Sequence, residues 1–416
     1  MSESRQPVRR SLIAVEWLNF FLADVQTGLG PFLAAYLAAS GWNPVRVGFA
    51  LTFGGLVTVA LQTPAGAVVD AAHRKRSVVA INLGVLVGGA LLLLGPLHPV
   101  TVYAAQFLIG ASAPFLAPAI AAITLGIVGA RAFDKQFGRN QAFNAGGNVF
   151  TALLVAYVSY KFGYHAIFAV AIAMAIPTAV SLAAIDASKI DYERARGADR
   201  DDQTQTPDTG RIAALAKDRV LLFFLICAFL FHLANAAMLP QLGEMLAKGK
   251  PQEAAPFMSA CIIVTQVVIT ISAAWIGRRA ESRGRKPLLL LGFGVLPLRG
   301  VLYTLTASAS ALIAIQTLDG VANAIFGVVS ILVIKDRTEG TGRFNLASGA
   351  LATMVGVGAA LSNTLGGAMI QYVGFRASFL GLAAVALVAV TMLWFAIPET
   401  RCVNPAMRVR TRTEER

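Results

Sequence analysis

Twelve stretches of this chain are apolar over about 20 residues, the length a helix needs to cross ~30 Å of hydrocarbon. No other feature limits the possible folds as much. A bilayer core offers no water, so every backbone N–H and C=O must pair internally, and a run of this length satisfies that as a helix. The runs cover residues 11–39, 45–69, 77–96, 100–127, 141–161, 165–186, 218–247, 256–277, 286–306, 309–334, 345–371 and 376–397. The expected fold class is an all-α membrane protein with twelve transmembrane helices. Composition agrees: 56% of residues are hydrophobic and 14% charged, too apolar for a stack of water-soluble domains.

The spaces between the runs divide the chain. Residues 187–217 are polar and contain Arg-Gly-Ala-Asp-Arg-Asp-Asp-Gln-Thr-Gln, a composition that cannot build a core and predicts a flexible linker. The expected organisation is therefore a tail at 1–10, six helices in 11–186, the linker, six helices in 218–397 and a tail at 398–416. The first run is too long for a signal-peptide core and lacks a clear cleavage site, so it is expected to stay as the first span. If the tails, the linker and alternate loops share one face, 29 of the 35 lysines and arginines fall there. Basic loops stay inside, which predicts cytoplasmic termini in an inner membrane. The net charge of +13 is explained by this topology, and no nucleic-acid partner is expected. Cys227, Cys261 and Cys402 have no metal or redox spacing. No metal or other cofactor is expected.

One motif occurs twice. Gly66-Ala-Val-Val-Asp70-Ala-Ala-His73-Arg74-Lys75-Arg76 is echoed by Gly277-Arg-Arg-Ala-Glu281-Ser-Arg-Gly284-Arg285-Lys286. Glycine lets helices approach closely, an acid suits a neighbouring helix N-terminus, and basic residues hold a loop on the cytoplasmic side. Gly66, Asp70, Arg74 and Lys75, with Gly277, Glu281, Gly284, Arg285 and Lys286, are thus the candidate gating residues. Further echoes keep the same order: Gln106 to Gly110 with Gln316 to Gly320, Gly138-Arg139 with Gly342-Arg343, and Gly163-Tyr-His-Ala-Ile-Phe168 with Gly374-Phe-Arg-Ala-Ser-Phe379. The duplicated motif resembles the loop between the second and third helices of the major facilitator superfamily, although His73 replaces a usual glycine and Ala71 a common basic residue. The resemblance implies two pseudo-symmetric six-helix bundles working by alternating access. It places a small-molecule substrate between the halves near mid-membrane. The partners expected are that substrate, the lipid bilayer and protons, with the chain a monomer.

Polar groups inside spans are costly unless they face protein or water. In span one Glu16, Asn19, Asp24, Gln26 and Thr27 fall within about 160° of arc and predict one wet face. Asp24 is either a structural carboxylate or a proton or cation site. Span ten carries Gln316, Asp319, Asn323 and Ser330 on one side, and span seven His232 and Asn235 at i, i+3. His232 reads equally as packed or functional. Spans one, four, seven and ten line the cavity in the family, so the resemblance gathers these residues, with Gln106, into a single polar site at mid-depth. Many proton-driven drug exporters of the family carry arginine where Gln106 stands and a Gly-Pro signature in span five. This chain has only Gly146-Gly147 there. If protons are used, Asp24 and Asp319 are the better candidates, because sequestered carboxylates can exchange protons near neutrality. Amides in span five (Gln141, Asn144, Asn148) and Gln266 in span eight serve equally as glue between helices. Arg299 is the basic residue deep in a span, and helical rise puts it level with Asp319. That pair either braces the fold or lets Asp319 alternate between Arg299 and a substrate or proton.

These features predict a secondary active transporter of a small organic solute in a bacterial inner membrane. The family resemblance points to a proton-driven exporter, with a proton-coupled importer as the alternative. The sequence has no His-x-x-x-His, paired cysteines or Gly-x-Ser-x-Gly, which argues against an enzyme. A sensor would need a soluble domain larger than the linker. No phosphate-binding loop is present, so ATP is not the expected energy source.

Overall fold

The computed structural model describes residues 5–27, 29–195, 218–249, 251–338 and 344–400. What the sequence predicts for 196–217 and 401–416 lies outside them. The regular elements described are all helical. They are α1 (Arg5–Thr27), α2 (Leu29–Ala39), α3 (Pro44–Ala71), α4 (Lys75–Leu94), α5 (Pro99–Val128), α6 (Ala130–Phe162), α7 (His165–Ala183), α8 (Tyr192–Ala195), α9 (Arg219–Asn235), α10 (Met238–Gly249), α11 (Pro251–Arg283), α12 (Lys286–Leu302), α13 (Ala309–Thr338) and α14 (Phe344–Ala396). Nine helical stretches among the described residues are long and apolar enough to cross a membrane, taking α9 with α10 as one and Leu346–Ala396 as one. The protein is a multi-spanning, all-α membrane protein.

Helix boundaries follow local chemistry. Asn43 precedes Pro44 and accepts from the Arg46 N–H at 2.9 Å, so α3 begins with both a cap and a pre-set first turn. Asp218 accepts from the N–H groups of Val220 and Leu221 at 3.0 and 3.1 Å and starts α9. The same carboxylate holds Arg337 at 2.7 Å, tying α9 to the end of α13. Gly374 takes φ of +86° and kinks α14 by leaving the helical backbone conformation, as Gly163 does at +83° between α6 and α7. The two glycines head the matched hexapeptides, and the phenylalanine five residues on, Phe168 or Phe379, is buried in each.

The core is divided. One apolar cluster around Leu18, Leu86 and Ile123 is built wholly within residues 8–195, and another around Phe231, Phe293 and Val329 wholly within 220–397. A third mixes the two parts, joining Phe32, Val155 and Ile167 to Met238, Met258 and Phe379. One face of the bundle, here the basic face, carries Arg74 to Arg76, Arg285 and Arg337 at its helix ends. The opposite, sparse face carries the turns at residues 40–43, 95–98 and 304–308.

The expected linker is not featureless. Residues 187–195 form a short turn and α8 and pack back on the basic face: Asp191 N–H donates to Gly126 O at 3.1 Å, and Tyr192 stacks on His73 at 4.0 Å between ring centres. Tyr192, Ile190 and Ala195 supply apolar residues that the polar stretch 199–211 of the linker lacks.

Candidate functional site

A buried polar cluster lies where α11, α12 and α13 meet. Arg299 lies about 20 Å along α12 from Lys286, and Asp319 about 15 Å along α13 from Ala309. These opposite runs bring the two level, and Arg299 Nη1 donates to Asp319 Oδ1. Gln316, one turn before Asp319, donates to Asp319 Oδ2 at 3.1 Å and to Thr265 Oγ1 at 3.2 Å, and accepts from the Tyr303 hydroxyl. The Arg299 guanidinium lies 5.5 Å from the Tyr303 ring centre. Asn323 donates to the Asp319 carbonyl at 3.0 Å, so its amide follows the helix and leaves the carboxylate free of it. The Arg299 side chain is 0% exposed and that of Asp319 11%. Of the pair, the carboxylate is the member that reaches open space.

A second cluster joins α1, α5 and α6 near the basic face. Glu16 accepts from Gln136 Nε2 and Arg139 Nε, both at 2.9 Å; Gln136 also donates to Asn140, and Asn140 to Thr124 at 3.0 Å. Glu16 is buried while Arg139 is largely exposed. Gln136, Asn140 and Thr124 escape a reading of apolar runs because α6 begins at Ala130, eleven residues before the apolar stretch does.

Several sequence-level expectations need correcting. Glu16 and Asn19 do not face water. Both are buried, with Glu16 on α6 and Asn19 Nδ2 bonded back to Val15 O at 2.8 Å. The open side of α1 is aromatic: Trp17, 42% exposed, packs against Phe20, Phe21 and Phe143 with ring centres 5.2–5.6 Å apart. The side chains of Asp24 and Gln26 lie outside the described residues. Gln106 spends its amide on Ala50 O at 3.0 Å and so joins α5 to α3. His232 bonds Ala228 O at 3.2 Å and sits edge-on to Phe326, while the Asn235 Oδ1 is buried without a hydrogen-bond donor among the described residues. The described residues among these therefore do not share one cluster: Glu16 and Gln106 bond neighbouring helices, whereas Asn19 and His232 bond back to their own.

The duplicated motif also divides. A methyl group on Gly66 or Gly277 would meet nothing within 4 Å, so neither glycine serves a close helix contact. Gly284 does constrain the chain, with φ of +96° and the Glu399 carboxylate against the position a Cβ would take. That carboxylate accepts from the N–H groups of Arg285 and Lys286 at 2.8 and 3.1 Å, capping α12 from far along the chain. The acid at this helix start is thus Glu399; the Glu281 side chain lies outside the described residues. Arg285 is clamped between Asp336 at 3.1 Å and Ala280 O at 2.6 Å, and the Lys286 ammonium donates to Trp394 O at 2.7 Å. In the first copy Lys75 is buried and donates to the carbonyls of Val69 and Asp70, Arg74 is exposed, and the Asp70 side chain is exposed. The segment that Asp70 is expected to meet, Gly342 to Asn345, lies outside the described residues or side chains.

The two parts of the chain meet towards the sparse face. Thr52 donates to Ala360 O at 2.6 Å and accepts from the Thr364 N–H at 3.1 Å, and the two hydroxyls lie 2.7 Å apart. Gly48 faces the Asn363 carbonyl and Gly367 the Pro44 carbonyl so closely that a methyl on either would collide. The contacts described near the basic face, such as Arg139 to Glu16 and Arg337 to Asp218, run within one part.

The model of the Major Facilitator Superfamily matches residues 17–298 and 266–412. This chain belongs to the major facilitator superfamily. The transporter is 40% identical over 402 residues to two MFS-type transporters of Mycobacterium tuberculosis, one from each of two strains, with 96% of this chain and 95% of each relative aligned. Its fold is like that of the nucleoside transporter NupG, with TM-scores of 0.77 to an aspartate-to-alanine variant and 0.72 to a second crystal structure. The identity is 16%, and the likeness covers 93% of this chain and 100% and 98% of those. It moves a small molecule across a lipid bilayer by secondary active transport and is a carrier, not an enzyme.

Proposed function

We propose that this transporter imports a small uncharged metabolite of the nucleoside kind together with protons, and that Asp319 carries the proton. The carrying observation is the unequal burial of the ion pair: Asp319 reaches open space and Arg299 does not. A proton that reaches the exposed edge of the carboxylate neutralises it and withdraws the charge that, among the described residues, is bonded to a fully buried guanidinium. Such a change destabilises one packing of the helices against another, which is what coupling requires. A planar solute would stack on the Trp17–Phe21–Phe143 ledge.

Gln106 in place of an arginine and the absent Gly-Pro signature weigh against the drug-exporter reading, and the fold likeness to a nucleoside carrier supports import. The reading takes α1 with α2 as one crossing, α9 with α10 as one, α12 as one and α14 as two about Gly374, which makes twelve crossings in two six-helix bundles. It puts the basic face in the cytoplasm and Asp70 at a cytoplasmic gate. In proteoliposomes, labelled nucleosides should accumulate when the outside is made acid and should not when the gradient is dissipated. Gradient-independent equilibration, or accumulation only under the inverted gradient, overturns proton-coupled import.

A further inference from the structure

A groove of about 960 Å³ opens between α4 and α7 at the basic face, away from both polar clusters. Its lower walls are apolar, with Leu83, Gly84 and Val87 on one side and Ile172, Ile176 and Ala179 on the other. Gly84 has nothing within 4 Å of where a Cβ would stand, so the wall is open and not occluded by a neighbouring helix. The rim is basic. His73, Arg74, Lys75 and Arg76 line it together with Ser77, and no acidic residue is part of the lining.

The rim's cations are not equally committed. Lys75 is consumed by the end of α3, and His73 is stacked on Tyr192. Arg76 spans the groove, donating from Nη2 to Ala183 O at 3.2 Å, while its buried Nε–H has no hydrogen-bond partner among the described residues. Arg74 is exposed at the N-cap of α4 with no side-chain cap, so the start of that helix adds its own positive end. Asp186, beside the groove's Ala187, accepts from the N–H and hydroxyl of Ser188 at 2.9 and 2.8 Å.

We propose that this groove binds an anionic phospholipid of the adjacent leaflet, its phosphate on Arg74 and Arg76 and its acyl chains along α4 and α7. The match is of chemistry by depth: a donor-rich cationic rim at the level of headgroups continues directly into an apolar channel at the level of hydrocarbon. Soluble phosphates would match only the rim, and a zwitterionic lipid would match the channel but meet the cationic rim with a phosphate already offset by its own ammonium. A lipid seated there ties α4 to α7 at the point where the linker's first residues, Ala187 and Ile190, close the groove.

The test uses the full chain, purified and delipidated, then exposed to equal amounts of phosphatidylglycerol and phosphatidylcholine with identical acyl chains. Bound lipid is counted by native mass spectrometry. The wild type should retain phosphatidylglycerol at least fivefold over phosphatidylcholine, with glycerol phosphate failing to compete. Arg76→Gln should bring the two lipids within twofold of each other. Gly84→Leu should lower retention of phosphatidylglycerol severalfold with every cation intact, and Ala179→Leu, from the other wall, makes the same prediction should the first variant not fold. Equal retention of both lipids by the wild type, displacement by glycerol phosphate, or an undiminished preference in Arg76→Gln and the groove-filling variant would each overturn the proposal.

Discussion

Removing the cation from the buried pair separates bracing from coupling. Arg299→Met keeps most of the side-chain volume and leaves Asp319 bonded, among the described residues, to Gln316 and Thr265 alone. Breaking a buried ion pair by deleting one partner costs about 3–5 kcal/mol, because the remaining charge has lost its counter-ion. At about 1 °C per kcal/mol for a chain of 416 residues, the unfolding midpoint in detergent should fall by roughly 3–6 °C. Adding Asp319→Asn removes the stranded charge while keeping the contacts to Gln316 and Thr265, so most of that loss should be recovered. Thermal unfolding of the wild type, both single variants and the double variant gives the full cycle. The same four proteins in proteoliposomes report function: the double variant should be folded and able to exchange substrate downhill, yet unable to concentrate it. An Arg299→Met protein as stable as wild type would mean the pair contributes nothing. A double variant with normal uphill transport would show that the pair only braces α12 against α13.

Two further outcomes follow from contacts elsewhere. With native cysteines replaced, Thr52→Cys combined with Thr364→Cys should cross-link under mild oxidation, abolish transport, and recover both mobility on gels and activity on reduction; transport unaffected by full cross-linking would mean this contact never opens. Glu399→Gln weakens the charge at the start of α12 and, being exposed, should cost only about 0.3–1 kcal/mol, read as a midpoint shift of a few degrees at most; a loss several times larger would mean that Gly284 needs the carboxylate to hold its conformation.

What could be read from the sequence was whatever is local or periodic. Apolar runs mark the long helices, and counting rise along two antiparallel spans sets Arg299 level with Asp319. The Gly163 and Gly374 hexapeptides are alike because both mark a left-handed break followed by a buried phenylalanine. Long-range choices were hidden. Nothing near Arg285 announces Glu399, 114 residues away. The partners of Glu16 sit in a stretch of α6 whose charges make it look like loop. Glycine identity alone also misleads: Gly66 and Gly277 stand at memorable offsets in open space, whereas Gly48, with no motif around it, is pressed against another helix's backbone. Which face of a helix its neighbour will cover is decided by the whole bundle.

The junction between α3 and α14 is sealed by carbonyls, glycine faces and two threonine hydroxyls. None of these changes charge, so ionic strength has almost no hold on it. The opposite end of the same molecule is crowded with arginine, lysine and their carboxylate partners, where dissolved ions screen exposed charges that lie more than about 10 Å apart at 0.1 M salt. The two ends of the transport path thus answer to different solvents' properties: one to the packing of small groups, the other to the electrolyte of the compartment it faces. On the proposed reading, in which the path opens at either end in turn, salt would tilt the balance between the two openings without touching the substrate's own contacts.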